Sequence, residues 1–186
     1  MSLAGLDSRL LYTAVIGLVV LERLVELFVT RRNRRCVLAR GGIEVGSGHY
    51  PWMVALHTAF LIACPLEVWL LARPFRPVLA AVMALVLVAS MGLRYWAIAT
   101  LGERWNTRVI VIPGARAISG GPYRWLRHPN YVAVVAEVAA LPLLHGAWLT
   151  ASLFSIANAF LLRQRIRVEE EALRLHCGYD EAFGHR

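Results

Sequence analysis

The chain has 186 residues, enough for one domain; 58% of them are hydrophobic and the mean hydropathy is +0.55, well above the apolar share of a water-soluble domain. Its formal charge of +8 comes from 20 basic residues, every one an arginine. These lie in the gaps between apolar runs rather than on a solvated readout domain, which argues against nucleic-acid binding and places the chain in the membrane class. Cys36, Cys64 and Cys177 match neither a zinc spacing nor a disulfide framework, and nothing supports a metal.

In chain order, the pattern predicts an all-α integral membrane protein of one domain, 1–186, with five apolar spans. The first, 10–29, is apolar for 12 residues and then carries Glu22, Arg23 and Glu26. No small-residue cleavage site follows, so an uncleaved anchor fits better than a signal peptide. The second, 51–71, is interrupted by His57 and closed by Glu67, and the third covers 78–100. Two further segments, 131–144 and 147–162, form a hairpin around Leu144-His145-Gly146. A crossing takes about 20 residues, so the fourth segment is short: tilted, pinched, or starting within the headgroup layer.

Sixteen of the 20 arginines fall in the first loop, in the stretch from Arg94 to Arg127, or after the last span. By the positive-inside rule that face is cytoplasmic, which puts the amino terminus outside and the carboxyl terminus inside. The loop 101–130 is long enough to expect function of it. Within it, Val109-Ile110-Val111-Ile112 reads either as a short strand or as a membrane-skimming segment.

At the end of that loop, Gly120-Gly121-Pro122 builds a tight turn, and Pro129 suits the first position of a helix, where a missing N–H costs nothing. The helix amino terminus so formed is a ready anion site, ringed by Arg127, His128, Tyr123 and Tyr131. Arg124 and Trp125 read as interfacial anchors. After the last span, four-residue spacing puts Arg165 with Glu169, and Arg167 with Glu171, on common helical faces. Spacing favours a solvated helix with small ion pairs; the functional reading gives one acid a cationic cofactor and one arginine an anionic acceptor. Glu22, Glu26, His57 and Glu137 lie at membrane depth, where ionisable groups default to a functional hypothesis, although each equally serves as a helix–helix hydrogen bond.

Taken together, Gly121-Pro122-Tyr123, His128-Pro129-Asn130-Tyr131, and Arg165-Ile166 followed by Glu169-Glu170 and Leu173 resemble the isoprenylcysteine carboxyl methyltransferase family, over roughly residues 106–171. Glu22-Arg23-Leu24, Arg31-Arg32-Asn33, Arg40-Gly41-Gly42-Ile43-Glu44 and His49-Tyr50-Pro51 resemble a bacterial branch that methylates alkylpyrones and alkylresorcinols. The resemblance implies a membrane-embedded methyltransferase using S-adenosylmethionine without a Rossmann domain. Its cofactor site would lie at the cytoplasmic face, between the loop before helix 4 and the C-terminal helix. Tyr123, His128, Pro129, Asn130 and Tyr131 would line the cofactor, joined by Glu169, and Arg165 would contact a lipophilic or prenylated acceptor reached through membrane lipid. A phenolic acceptor needs a base, for which Glu22, Glu26 and His128 are the candidates.

Two features depart from the family. Ala115-Arg116-Ala117-Ile118 stands where members carry a His-x-Leu-Val stretch, which leaves only a backbone role there. Cys177-Gly178-Tyr179, with Phe183 beyond, replaces a Phe-Gly…Tyr pattern and puts the packing of the tail in question. The alternatives are a phospholipid N-methyltransferase, a sterol-reductase-like enzyme, and a membrane scaffold without enzymatic activity.

Overall fold

A computed structural model of the chain describes residues 3–183. Five helices carry the fold: α1 (Leu3–Ala39), α2 (Tyr50–Leu70), α3 (Pro77–Leu101), α4 (Pro129–Leu143) and α5 (Trp148–Cys177), with a short α6 (Tyr179–Phe183) folding back at the end. Two three-residue strands, β1 (Ile43–Val45) and β2 (Val109–Val111), pair antiparallel with Glu44 opposite Ile110. Val109–Val111 is thus a strand, and it takes its partner from the loop after α1.

Proline sets the starts. Pro77 and Pro129 are the first residues of α3 and α4, where the absent N–H has no helical partner to lose. The turn after α4 falls at Leu144-His145-Gly146, with Gly146 at φ +69°, as the sequence predicts. The start of α5 lacks a side-chain cap from Ala147. Glu67 on α2 supplies one instead, accepting from the N–H groups of Leu149 (3.2 Å) and Thr150 (2.6 Å), while Arg73 holds the same carboxylate at 2.7 Å. Exposed N–H groups at a helix start favour negative charge, and here that charge comes from a neighbouring helix.

Two helical segments, Ser47–Leu70 and Pro77–Arg104, are long and apolar enough to cross a membrane by length and composition. The outward faces of α1, α2, α3 and α5 stay apolar: Leu11, Leu18, Phe28, Ile62, Leu70, Val78, Leu85, Val88, Leu153 and Phe160 are all well exposed. Such a band is the mark of a surface that meets something other than water.

The inward face of α1 follows a four-three spacing through Tyr12, Ile16, Val19, Arg23, Glu26, Thr30, Asn33 and Val37. Its early members join a core with Phe60, Cys64, Val68, Val138 and Leu141. The next four, Arg23, Glu26, Thr30 and Asn33, are polar and run towards the end of the bundle where the sheet sits. Asn33 docks α1 to that end, with Nδ2 donating to the carbonyls of Trp105 (2.9 Å) and Gly102 (3.3 Å). The tail is anchored too: Tyr179 and Phe183 are buried against Ala97 and Tyr123, so the altered Cys177-Gly178-Tyr179 pattern still packs.

Candidate functional site

At the sheet end, β2, the turn 121–124, the start of α4, the second half of α5 and α6 enclose a cavity of 130 Å³. Tyr123, His128, Asn130, Tyr131, Arg165 and Glu169 all line it. Residues from three separate stretches of sequence therefore meet in one pocket. Pro129, expected with them, is buried as the first residue of α4 and is not one of the lining residues. Residues 115–118 also line the pocket, along with Val37 from α1.

Each side chain is held by a traceable contact. The Tyr131 hydroxyl donates to Glu169, and Arg165 Nε donates to the same hydroxyl at 2.7 Å. The remaining Arg165 nitrogens reach the carbonyls of Thr107 (2.5 Å) and Asn106 (3.4 Å) and the sulfur of Met53 (3.4 Å). Arg165 is buried and fully engaged; it braces Tyr131 against the segment 106–107 and does not pair with Glu169, the partner its spacing suggests. The four-residue ion pair that does form on this helix is Glu170 with Arg174, at 3.1 Å.

His128 stacks on Tyr131, with centroids 5.3 Å apart and planes 21° apart, and its Nε2 lies 3.0 Å from Glu170. Burial pushes the Glu170 carboxyl up, but the hydrogen bond and charge of His128, with Arg174 and Arg127 nearby, outweigh it and hold the group below its ordinary range. Burial raises the Tyr123 phenol, reinforced by the charge of Glu169, and pushes Tyr179 up to about 12, reinforced by Glu170. Both phenols stay neutral at physiological pH. Glu44, between the strands and α1, lies low: the burial that would raise it is outweighed by hydrogen bonds from Arg108 (2.5 Å) and Arg34 (3.1 Å).

Against this satisfied frame, three polar atoms stand out. Both ends of the Asn106 amide and the side-chain oxygen of Asn130 are buried with no hydrogen-bond partner, and both residues line the pocket. A buried polar atom left unpaired costs about 1–3 kcal/mol, so such a group beside a cavity calls for a partner that the protein itself does not supply. The anion site expected at the start of α4 is narrower than the sequence suggests. The N–H groups of Tyr131 and Val132 are both taken by the His128 carbonyl, which leaves that of Asn130.

Glu22 and Glu26 are not brought into this pocket. Glu22 lines a second, more apolar cavity of 350 Å³ between α1, α2, α3 and α4, whose walls include Val15, Phe60, Leu87 and Leu141. Its end nearer the sheet is floored by charge. Arg94 pairs with Glu137 through two contacts and lies 3.6 Å from Glu26. Arg23 pairs with Glu26 (2.6 Å), Glu22 (3.2 Å) and Glu137 (3.5 Å), and Tyr95 donates to Glu22. His57, also on the wall, hydrogen-bonds the Met53 carbonyl at 2.8 Å. Arg94, grouped by sequence with the loop arginines, is in fact buried inside α3.

Asn106 and Arg94 are the two residues that sequence reasoning missed. The only signal for Arg94 was a lone charge near the end of an apolar run, which the arginine-rich loop beyond it absorbed. Asn106 gave no signal at all.

The family model that matches residues 81–175 is that of the isoprenylcysteine carboxyl methyltransferase (ICMT) family. The matched residues run from α3 to the end of α5 and contain the pocket's α4 and α5 walls. The chain is also 38% identical to an uncharacterized protein, YpbQ, of Bacillus subtilis, over 88% of this chain and 97% of that one. An uncharacterized protein of Haemophilus influenzae is 24% identical over 81% of this chain and 88% of its own length. The chain belongs to the isoprenylcysteine carboxyl methyltransferase family, and is thereby a methyltransferase of the membrane-embedded kind.

Proposed function

We propose that the protein is an S-adenosylmethionine-dependent O-methyltransferase that crosses the membrane five times and methylates a lipid-tailed acceptor. The acceptor class is an isoprenylcysteine-type carboxylate or the hydroxyl of an alkylpyrone or alkylresorcinol. The observation that carries the cofactor assignment is the pocket holding Tyr123, His128, Asn130, Tyr131 and Glu169 beside the unpartnered amides of Asn106 and Asn130. Donors, acceptors, an aromatic face and a carboxylate are what a zwitterionic, purine-bearing sulfonium requires, so the chemistry of the lining fits the group; at 130 Å³ the cavity is below the roughly 300–1,000 Å³ of a ligand pocket and has to open to admit it.

Bound there, S-adenosylmethionine supplies an already activated methyl group, and the protein's task is to position the two reactants and exclude water. Asn106, Asn130 and Glu169 would hold the cofactor, the two amides by hydrogen bonds and the carboxylate by its charge. Arg165 acts as a positioning residue that fixes Tyr131. The 350 Å³ cavity is of ligand-binding size and takes the acceptor's tail from the bilayer. Glu22 on its wall is the base for an acceptor that arrives protonated. The pocket end, rich in arginine, faces the cytoplasm of a bacterial inner membrane.

The excess of carboxylates over guanidiniums around the cavity floor favours one further acceptor, an amine of the phosphatidylethanolamine kind. Calorimetric binding of S-adenosylmethionine to the detergent-purified protein tests the cofactor assignment, and labelled-methyl transfer onto the three acceptor classes tests the rest. Asn106→Leu should weaken binding by roughly tenfold or more, the loss of one to two hydrogen bonds. Equal affinity in the variant and the wild type would remove the pocket from the reaction.

A further inference from the structure

The inner stripe of α1 changes character between the two cavities. Above, Tyr12, Ile16 and Val19 are apolar; below, Val37 walls the cofactor pocket. In between, all four inward positions are polar: Arg23, Glu26, Thr30 and Asn33, about 15 Å of helix at 1.5 Å per residue. Two of them carry buried atoms without a hydrogen-bond partner, Glu26 Oε1 and Thr30 Oγ1, which lie one helical turn apart on the same face.

Thr30 is the more telling of the two, being 4% exposed. A helical threonine ordinarily turns its hydroxyl back onto the carbonyl four residues earlier. Thr13 does so onto Arg9, and Thr100 onto Trp96, each at 2.8 Å. The Thr30 hydroxyl makes no such bond and is buried with no other hydrogen-bond partner. Buried oxygens short of a hydrogen bond in consecutive turns of a polar stripe, Glu26 Oε1 having only the Arg94 charge at 3.6 Å, are what ordered water satisfies.

We propose that water along this stripe carries a proton between the carboxylate cluster and the cytoplasmic face, by way of Glu26 and Thr30. The proposal rests on the reading of the protein as an O-methyltransferase with a protonated acceptor. For such an acceptor the O–H bond breaks as the O–CH3 bond forms, and the S–CH3 bond breaks with its electron pair staying on sulfur. One proton per turnover is left in a low-dielectric interior. The cluster receives it, and the stripe is its exit. Glu26 is faced by Arg23 and Glu22 on its own helix, Arg94 on α3 and Glu137 on α4; Tyr95 and His57 complete the titratable groups around the cluster. Chains of acids and hydroxyls at membrane depth are the recurring form of proton relays.

The first test needs no turnover. A charged, membrane-impermeant thiosulfonate is applied to Thr30→Cys and to Ile16→Cys, the latter on the same stripe above the cluster, and adducts beyond those of the wild type are counted by mass. One added adduct on Thr30→Cys and none on Ile16→Cys is expected; protection of both overturns the water path. The second test is Thr30→Val, whose turnover of a hydroxyl acceptor should fall roughly tenfold or more near neutral pH. Its solvent isotope effect should rise while S-adenosylmethionine affinity stays unchanged. Labelling of Thr30→Cys together with a wild-type pH profile in Thr30→Val overturns the relay. A protein that labels at Thr30→Cys but methylates no acceptor refutes the methyltransferase reading, and the proton's purpose with it, and leaves the water path standing.

Discussion

The intramembrane charge cluster predicts an asymmetry between two partners of one ion pair. Glu22, Glu26 and Glu137 share Arg23 and Arg94, one carboxylate in excess. The Arg94 side chain is 5% exposed and that of Glu137 14%. Arg94→Leu leaves two carboxylates in excess, with only Arg23 to serve three acids. Breaking a buried pair in this way costs about 3–5 kcal/mol, because the orphaned charge stays buried. Glu137→Leu instead leaves the cluster balanced, and Arg94 still has Glu26 at 3.6 Å to close on. Its cost falls to about 1.5–3 kcal/mol, that of charged hydrogen bonds removed without a new imbalance.

The double variant returns the cluster to its original excess, so its loss should be smaller than the sum, with a coupling of about 1–3 kcal/mol. Thermal unfolding in detergent reads the difference. At about 2–4 °C per kcal/mol for a chain of this size, Arg94→Leu should lower Tm by roughly 6–20 °C, clearly more than Glu137→Leu. Equal shifts for the two single variants, or a double variant no better than Arg94→Leu alone, would refute the claim that charge balance governs this layer.

Gly121→Ala should destabilise by about 2–3 kcal/mol: the residue sits at φ +55° and an added Cβ would come 2.4 Å from Thr100 Oγ1. Gly114→Ala, at φ +79° with open space around it, should lose only the backbone part, about 1–2 kcal/mol, and the two are compared by Tm. Glu67→Ala removes both the cap of α5 and the partner of Arg73, and should cost about 3 kcal/mol by the same assay. Glu44 and Glu170 have folded-state pKa values below the ordinary 4.5. Their contribution is therefore full above that range and is lost as pH falls through the lower folded values. Glu44→Gln and Glu170→Gln should each flatten the fall of Tm below about pH 4.5 and lower Tm at pH 7; a variant with the wild-type acid limb would show that its pair contributes nothing.

Much of the pocket was legible because its residues come in short ordered motifs bound to backbone events. Pro129 announces the start of α4, and that start fixes where His128, Asn130 and Tyr131 project; Glu169 follows from the helical run after the hairpin. What sequence left open depends on pairings between distant residues. Whether Val109–Val111 is a strand is decided by Ile43–Val45, more than sixty residues earlier. The partner of Arg165 could not be read from its own helix, because Tyr131 and Thr107 offer closer acceptors than Glu169 does. Sequence groups Arg94 with the loop arginines that follow it; what keeps it inside α3 is Glu137, a carboxylate on another helix.

Asn106 and Arg165 touch, yet they have opposite roles, and the difference is one of satisfaction. Arg165 spreads its guanidinium over two carbonyls, a hydroxyl and a sulfur, so a ligand that recruited it would first have to break protein bonds. Its net gain would be small, and its contribution lies in holding Tyr131 and the 106–107 backbone still. The Asn106 amide has nothing to break. Its desolvation has already been incurred on folding, so each hydrogen bond a ligand makes to it brings close to the full value of a buried bond rather than the small net of an exchange with water. In the proposed site the strong charge therefore fixes the wall, and the neutral amide on it is the group left free to bind a ligand.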